Sequence, residues 1–298
     1  MEMPLVSVIV LSYNSNHTIV ETLNSIANQT YETIELIISD DYSLDNTLSV
    51  VKDWILENEK RFENIVLVEA DKNCGIAANA NKGILHASGE WIKALAADDC
   101  LLPNCILDNI KYLNEDKSIQ LVTSLTDVYQ NNFDSANFKY SLPRPNVLKF
   151  FKMSAKQQHL ELLRNNDMMA GAVMINRQTL IENGGVNEQY SMLEDYPMWV
   201  KLTGSGIKIN FIPITTFAYR DHKNSVSHGG NDYMNRRYFT SLLNHHQEII
   251  FPLLMKHGMF FSYYRKFLKF YLMKRVINKG NNIYLFKNLI ERVLLRML

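Results

Sequence analysis

Three apolar runs in the first hundred residues each end in a cluster of polar side chains. The runs cover residues 6–11, 34–39 and 91–95, and the polar clusters follow at 12–16, 40–45 and 98–99. Nearly continuous apolar runs of this length are typical of strands buried on both faces of a sheet. This repeated change restricts the fold more than any other feature, because it requires a buried sheet whose polar residues collect at strand ends.

Segments with helical periodicity separate the apolar runs. They carry apolar residues at spacings of three and four: Ile19, Leu23 and Ile26, then Leu48, Val51 and Ile55. A strand over 65–68 and a helix over 73–86 continue the alternation. The order predicts an α/β fold with a doubly wound, mostly parallel sheet and helices on both faces. Ligands bind beyond the carboxyl ends of the strands in such sheets, so we expect the polar clusters to meet at one edge.

The rest of the chain is less regular up to residue 230 and helical beyond it. We expect a strand over 121–123, a loop over 131–145 and an apolar segment over 170–175. Asn183, Gly184 and Gly185 close a predicted helix, because glycine readily adopts the left-handed backbone found at helix ends.

Charge divides the chain at the same place. The 31 basic and 31 acidic residues cancel, which argues against a nucleic-acid-binding protein. Residues 1–230 carry 19 Lys and Arg against 28 Asp and Glu, whereas residues 231–298 carry 12 against 3. The predicted units are therefore an acidic domain over 1–230 and a basic, helical C-terminal region over 231–298.

Cysteine content and hydropathy bear on the location of the protein. Cys74, Cys100 and Cys105 lack the spacing of a metal site or a disulfide framework, which favours the reducing cytoplasm. No basic leader precedes the first apolar run, and no run of about 18 apolar residues occurs. We expect a cytoplasmic protein, either soluble or peripheral on the inner face of the cytoplasmic membrane.

Two acidic pairs end predicted strands: Asp40 with Asp41, and Asp98 with Asp99. At one sheet edge their charges repel unless a divalent cation or hydrogen-bond donors offset the repulsion. Oxygen ligands of this kind favour Mg²⁺ or Mn²⁺. Each pair can instead cap the helix or turn that follows it. Two pairs at the same edge favour a metal or nucleotide site.

The first strand lacks the glycine-rich sequence that binds dinucleotides or cradles phosphates after a strand. A nucleotide would instead be held by carboxylates and an aromatic ring. Tyr13, at the end of the first strand, is suited to stack on a base. A tyrosine at a strand end can equally well cover the core.

Two adjacent carboxylates precede a helix whose first turn contains Pro197. Asp195 shares a helical face with the apolar Trp199, so we expect it to point inward and to suit the role of general base. Glu194 lies about 100° around the helix and is expected in a different environment. Capping of the helix is the alternative role for one of the carboxylates.

Residues 219–227 gather two cations and a histidine in a predicted loop. Arg220 and Lys223 suit phosphate oxygens, and His222 suits phosphate or a metal ion. A solvated polar loop explains the same composition.

A series of short motifs runs through residues 4–228. It begins with 4–14, 29–31 and 35–47, and continues with 73–75, 81–84, 88–90, 97–99, 102–103, 184–185, Glu188 and 194–195. In this order the motifs resemble those of the family 2 glycosyltransferases. The resemblance implies a GT-A fold, a nucleotide-sugar donor, a divalent cation and an inverting displacement.

The resemblance also implies roles for individual residues. Asp41 would contact the nucleobase, with Tyr13 stacked on it or beside it. Asp98 would meet the ribose, and Asp99 would bind the metal that bridges the diphosphate. Asp195 would deprotonate the acceptor hydroxyl, with Glu194 and Arg220 in supporting positions.

Two positions depart from the family pattern. Ala96 stands where a metal-binding carboxylate is common, so the expected metal site depends on Asp99 with help from His222. Tyr42 stands where a glycine usually follows the first acidic pair. The bulkier residue makes a positive φ unexpected there and would narrow the base pocket.

The basic tail contains two amphipathic or aromatic segments. Residues 281–298 alternate apolar and basic faces at helical spacing, and residues 263–270 combine aromatic and basic side chains. Segments of this kind bind the interface of anionic membranes, which predicts a membrane contact through 259–298. A helix packed on the catalytic domain with a solvated basic face is the alternative.

The predicted function is an inverting hexosyltransferase that moves a sugar from a UDP-sugar to a glycan or lipid-linked glycan. The resemblance places it in cell-surface polysaccharide biosynthesis with Mn²⁺ or Mg²⁺, and leaves a homo-oligomer open. A metal-dependent phosphoryl or nucleotidyl transferase and a non-catalytic nucleotide-sugar-binding protein are the alternatives.

Overall fold

A computed structural model describes residues 2–222, 225 and 235–277 of the chain. The chain divides into two compact units, Met1–Asp221 and His222–Leu298. The division comes before residue 230, where the charge pattern predicts the domain boundary. The amphipathic helix predicted over 281–298 lies outside the described residues.

The first unit begins with alternating strands and helices. In chain order these are β1 (Val6–Ser12), α1 (Ile19–Ala27), β2 (Ile34–Asp40), α2 (Thr47–Asn58), β3 (Asn64–Glu69), α3 (Ile76–His86) and β4 (Trp91–Ala96). The strands pair in parallel in the order β3-β2-β1-β4. The doubly wound parallel arrangement predicted from the sequence is confirmed over this part of the sheet.

Both faces of the central strands are covered, which explains their nearly uninterrupted apolar sequence. Val8 and Val10 on one face of β1 belong to the main core, together with residues of α1, α2 and the later helix α4 (Cys105–Glu115). Ile9 points to the other face, where α3 packs closely: a Cβ added at Gly83 would lie 2.5 Å from Cγ2 of Ile9. The small residue at position 83 therefore allows the helix to approach the sheet.

The second half of the unit extends the sheet with mixed pairing. Its elements are β5 (Cys100–Leu101), α4 (Cys105–Glu115), β6 (Leu121–Gln130), β7 (Phe138–Leu142), α5 (Ala155–Arg164), β8 (Met174–Asn176), α6 (Arg177–Glu182), α7 (Tyr196–Gly204) and β9 (Asn210–Asp221). Short 3₁₀ helices cover Glu59–Arg61, Ser135–Asn137, Pro145–Lys152 and Ala170–Ala172. Beyond β4 the strand order is β8-β6-β9-β5, and β7 pairs with β6.

Two expectations for this half are wrong. Residues 131–145 are not simply a loop, because β7 returns antiparallel along β6 and extends the ladder. Residues 219–221 are the end of β9, which lies parallel to β6 along most of its length. The polar residues at the end of β9 resemble a loop in sequence. They are ordered by pairing with β6, which lies about ninety positions earlier in the chain.

The second unit is helical over its described part, with α8 (Arg236–His245), a π-helical turn (His246–Ile250), α9 (Phe251–Lys256) and α10 (Phe260–Ile277). Phe270 of α10 packs against His246, with ring centroids 4.4 Å apart, and against Phe239 and Phe251. None of the helices in the described residues is long and apolar enough to span a membrane.

Candidate active site

The polar clusters of the first unit meet at the carboxyl ends of neighbouring strands. In the parallel register Ser12 at the end of β1 is opposite Asp40 at the end of β2, and Leu11 is opposite Ala96 at the end of β4. Asp98 and Asp99 follow directly after β4. The convergence expected from the sequence is therefore confirmed by the strand register.

Asp40 is held by hydroxyl and main-chain donors. The hydroxyl of Ser12 donates to Oδ2 at 2.8 Å, and Ser43 donates to both oxygens through its main-chain N–H and its hydroxyl. The turn between them has Tyr42 at a φ of +69°. The sequence-based expectation that a tyrosine would avoid positive φ here is wrong, because the bonds that Ser43 donates to Asp40 fix the turn around it.

Asp41 anchors the loop that precedes α3. Its Oδ1 accepts the N–H of Cys74 at 2.9 Å, and its Oδ2 accepts the N–H of Gly75 at 2.8 Å. These bonds hold residues 73–75 outside the helix, so α3 begins at Ile76, later than predicted. Gly75 has a φ of +94°, and a Cβ there would lie 2.5 Å from the carbonyl oxygen of Ser191.

The approach of Ser191 joins this edge to the segment before α7. The main-chain N–H of Ala77 donates to the Ser191 carbonyl at 3.3 Å. Glu194 and Asp195 lie three and four residues further along, and Asp195 directly precedes the first residue of α7. Asp41 and the Glu194–Asp195 pair are thus connected through the Gly75–Ser191 contact.

The Asp98–Asp99 pair is divided between solvent and interior. Asp98 is partly exposed, whereas Asp99 is buried and its Oδ1 accepts the main-chain N–H of Arg220 at 2.9 Å. Burial, and then the charge of Asp98, raise the pKa of Asp99 well above its usual range, while the bond from Arg220 opposes the rise. Asp99 is therefore a packed carboxyl, and Asp98 is the member of the pair that reaches the surface.

Arg220 does not lie in a solvated loop. Its guanidinium is buried and donates to the carbonyls of Asp98 and Asn131 and to the carboxylate of Glu21. It also lies 4.2 Å from the ring centroid of Phe133. Through these contacts Arg220 fixes the end of β9 against the loop that carries Asp98. In this structure its guanidinium is bound to protein acceptors and is not arranged to bind phosphate oxygens.

Glu194 and Asp195 share one environment, contrary to the sequence-based expectation. Burial, followed by the charge of Asp195, raises the pKa of Glu194 to about 8. Burial also raises the pKa of Asp195, against hydrogen bonds that lower it. The expectation failed because both residues precede α7, where the helical rotation of 100° per residue does not apply.

Two further side chains lie near Asp195: Trp199, which the sequence places on the same helical face, and Asn166, which was not identified from the sequence. The amide Nδ2 of Asn166 donates to Oδ2 of Asp195 in a long bond of 3.5 Å. The indole Nε1 of Trp199, one turn into α7, is buried without a hydrogen-bond partner in the described structure. The spacing of four residues between Asp195 and Trp199 indicated the tryptophan, whereas nothing in the sequence points to Asn166.

Two aromatic rings stand at the ends of β1 and β2. Tyr13 is 47% exposed and Tyr42 is 44% exposed, so both keep an open ring face beside the carboxylates. Tyr42, at the end of the neighbouring strand, is therefore a second candidate for the stacking role predicted for Tyr13.

The donor set suits a cation that is shared with a ligand. Within the described residues, no group of three or more His, Cys, Asp or Glu side chains is arranged to hold a metal ion. Mg²⁺ is commonly bound by only one or two carboxylates together with substrate phosphates. The Asp98–Asp99 pair can provide the carboxylates of such a site. His222 is the first residue of the second unit, with its main-chain N–H donating to Ser225, and its role as a metal ligand stays a prediction.

Residues 7–184 match the model of "Glycosyl transferase family 2". The chain belongs to this family. The match contains both strand-end acidic pairs and Gly75, and it ends shortly before Glu194 and Asp195. Membership makes the chain a glycosyltransferase, as the ordered motifs had indicated.

Curated relatives extend the similarity past the family model. An uncharacterised glycosyltransferase of Haemophilus influenzae is 30% identical over 235 residues, covering 78% of this chain and 70% of its own. The Escherichia coli protein WfaP, named a UDP-Glc:alpha-D-GlcNAc-diphosphoundecaprenol beta-1,3-glucosyltransferase, is 27% identical over 76% of this chain and 80% of its own.

Solved structures share the fold at low identity. A mannosyltransferase of Pyrobaculum calidifontis, in complex with GDP-Man and Mn²⁺, aligns with a TM-score of 0.60 at 20% identity over 84% of this chain and 65% of its own. Residues 1–349 of Staphylococcus aureus TarS with UDP-GlcNAc align at 0.58 and 18% identity, over 80% of this chain and 64% of that one. The GT-A fold predicted from the sequence is thereby confirmed.

Proposed function

We propose that the chain is an inverting hexosyltransferase that moves a sugar from a UDP-sugar to a glycan acceptor of cell-surface polysaccharide. The observation that carries the proposal is the placement of Glu194 and Asp195, two carboxyls with raised pKa values, beside the strand-end edge. Perturbed carboxyls of this kind are typical of general bases. The Gly75–Ser191 contact ties them to Asp41 and so to the proposed donor site.

Asp195 is the proposed base. The acceptor hydroxyl attacks the anomeric carbon, its proton passes to Asp195, and the bond from that carbon to the diphosphate oxygen breaks with both electrons leaving on the nucleoside diphosphate. Attack opposite the leaving group inverts the anomeric centre. Asn166 donates to the same carboxylate and would hold it in position for the proton.

Tyr13, Asp41 and Asp98 are the proposed contacts of the nucleotide. Each oxygen of Asp41 accepts one main-chain N–H and keeps a second lone pair, which suits an N–H donor on the base. Tyr13 offers an exposed ring for stacking. These roles are the ones that the family motifs imply.

A divalent cation, Mn²⁺ or Mg²⁺, would be held at the second acidic pair. Such a cation supplies charge neutralisation on the departing diphosphate. The motifs assign this role to Asp99 with His222, but Asp99 is buried and one of its oxygens is engaged with Arg220. We therefore assign the cation-facing position to Asp98, with Asp99 fixing the loop behind it.

The donor and acceptor follow from the relatives. WfaP and a second Escherichia coli protein, WfgD, both carry UDP-Glc and a diphosphoundecaprenol-linked GlcNAc in their names, and WfgD is 27% identical over 75% of this chain. A UDP-sugar and a lipid-linked glycan are the corresponding substrates for this chain. A lipid-linked acceptor would bring the protein to the inner face of the cytoplasmic membrane as a peripheral protein.

The test is a transfer assay with the full-length chain, Mn²⁺, and a panel of UDP-, GDP-, CDP- and dTDP-sugars. We expect UDP release coupled to a mass increase of a lipid-linked N-acetylglucosaminyl diphosphate. Release of pyrophosphate or phosphate without sugar transfer would support a nucleotidyl or phosphoryl transferase instead. A rise in the melting temperature of the protein only with donors other than UDP-sugars would overturn the donor assignment.

Asp195→Asn tests the base. We expect kcat to fall by about 10²–10⁴-fold, the usual contribution of general-base catalysis, with donor binding retained. Asp53→Asn, the same chemical change on the exposed face of α2, is the matched control and should leave turnover unchanged. Unchanged turnover in Asp195→Asn would exclude this residue as the base.

A further inference from the structure

Helix α10 is apolar on two opposite faces. Its inward face carries Phe270 and Met273, both buried, and Phe270 packs on the rings of Phe239, His246 and Phe251. A helix with a single apolar stripe needs only this contact, whereas one that is apolar all round is normally covered on every side. The second face of α10 therefore calls for a partner.

The outward face carries six exposed apolar or aromatic side chains: Phe260, Phe261, Tyr264, Phe267, Leu268 and Tyr271. Phe261 is 77% exposed and Tyr264 is 67% exposed. The positions 261, 264, 268 and 271 recur at spacings of three and four, so they form one stripe along the helix. At 1.5 Å of rise per residue the stripe is about 15 Å long.

Basic side chains border this stripe, and carboxylates are missing from the sequence around it. Residues 249–277 contain six Lys and Arg and no Asp or Glu. Arg265, Lys269 and Lys274 are exposed beside the aromatic residues. A second copy of the same face would bring like charges together, whereas an anionic surface complements them.

We infer that the outward face of α10, the stripe Phe261, Tyr264, Leu268 and Tyr271 with Arg265 and Lys269 beside it, inserts into the interface of a bilayer containing anionic lipids. Aromatic rings prefer the headgroup region, and basic residues next to them gain from the negative surface potential. The inference concerns a surface of the second unit and stands independently of the transfer reaction proposed for the first.

Vesicle binding by the full-length chain tests the inference. The wild-type protein should co-sediment with vesicles of phosphatidylcholine and phosphatidylglycerol, and far less with phosphatidylcholine alone. Phe261→Ser combined with Leu268→Ser should weaken binding at least about 100-fold, because each buried side chain of this size contributes about tenfold or more. Arg265→Ser combined with Lys269→Ser should weaken it by about 25-fold, roughly fivefold for each charge.

The matched control is Leu56→Ser combined with Leu85→Ser, two exposed leucines of the first unit. The control should bind vesicles as the wild type does. Undiminished binding by Phe261→Ser with Leu268→Ser would overturn the inference, since some other segment would then be the contact. A dimer in solution that the same variant dissociates would also overturn it, since a second copy would then occupy the face.

Insertion can be read directly by fluorescence. The three native tryptophans, Trp54, Trp91 and Trp199, are all buried, so Phe261→Trp adds the exposed reporter. On anionic vesicles we expect a blue shift and quenching by brominated acyl chains. A reporter at position 261 that stays solvent-exposed on bound protein would contradict insertion, whether or not the protein transfers sugar to a soluble acceptor.

Discussion

The acidic pairs Asp40–Asp41 and Glu194–Asp195 lie at the same edge of the first unit, and the surroundings of their carboxyls differ. Asp40 and Asp41 together accept five hydrogen bonds from Ser12, Ser43, Cys74 and Gly75. Burial raises the pKa values of both Asp195 and Glu194, and hydrogen bonds to Asp195, a long one from Asn166 among them, oppose the rise. Asp40 and Asp41 are held by donors of the strand-end loops and build the edge, whereas Glu194 and Asp195 have raised pKa values that suit a base.

The difference shows that an acidic pair in a sequence does not define a chemical role by itself. A carboxylate that accepts several N–H or O–H groups is stabilised as a structural anion. One that is buried with few donors binds a proton readily, which a base requires. Asp98 and Asp99 differ from both, because Asp98 is partly exposed and the buried Asp99 accepts the N–H of Arg220.

After the loss of turnover expected for Asp195→Asn, the largest effect on transfer should come from Asp98. If it faces the cation, Asp98→Asn should raise the Mn²⁺ concentration needed for half-maximal transfer by at least about tenfold. Asp99→Asn is the control because asparagine keeps an oxygen for the Arg220 N–H, and its effect should stay within about threefold. A larger effect for Asp99 than for Asp98 would return the metal position to Asp99. The measurement is a metal titration of transfer at fixed donor concentration.

The next effect is on stability. Asp41→Ala leaves the N–H groups of Cys74 and Gly75 without their carboxylate, which should lower the free energy of unfolding by about 2–4 kcal/mol. Asp195→Asn should leave the melting temperature close to that of wild type, because asparagine keeps an oxygen that accepts hydrogen bonds and leaves no pair of main-chain N–H groups without an acceptor. Urea unfolding followed by tryptophan fluorescence compares the two. Equal destabilisation by both variants would remove the distinction between a structural and a chemical pair.

The smallest effect at neutral pH should come from Glu194→Gln. With its pKa raised to about 8, Glu194 is mainly protonated at pH 7, and glutamine imitates that neutral form. Turnover at pH 7 should change by less than about threefold, and any ionisation step near pH 8 in the rate profile should disappear.

Glu194→Gln should also change the pH dependence of the protein's stability in a definite direction. The folded protein retains the Glu194 proton above the ordinary pKa of 4.5, so its stabilising contribution is lost as the pH rises from 4.5 through about 8. Glu194→Gln should therefore melt at a higher temperature than wild type at pH 8, with the difference shrinking toward pH 5. A difference that does not depend on pH would contradict the raised pKa.

Much of the first unit could be predicted from local pattern. The strands β1, β2 and β4 and the helix α1 follow from apolar runs and spacings, because each is buried by contacts that its own periodicity describes. β7 and β9 were missed, since their polar residues are ordered by pairing with β6. Tyr42 was misjudged for a similar reason: its turn is imposed by Asp40 and Ser43, at a cost in backbone conformation that the hydrogen bonds offset.

The sequence by itself determined that acidic residues follow buried parallel strands, that the motifs occur in the family order, and that basic and aromatic residues concentrate near the C-terminus. Only the tertiary structure decided which carboxylates have donors. The donor to Asp99 is 121 residues away in the chain, the Gly75 donor to Asp41 is 34 away, and Asn166 is 29 from Asp195. Desolvation and hydrogen bonding set the proton affinity of a carboxyl, and both depend on neighbours that folding brings together.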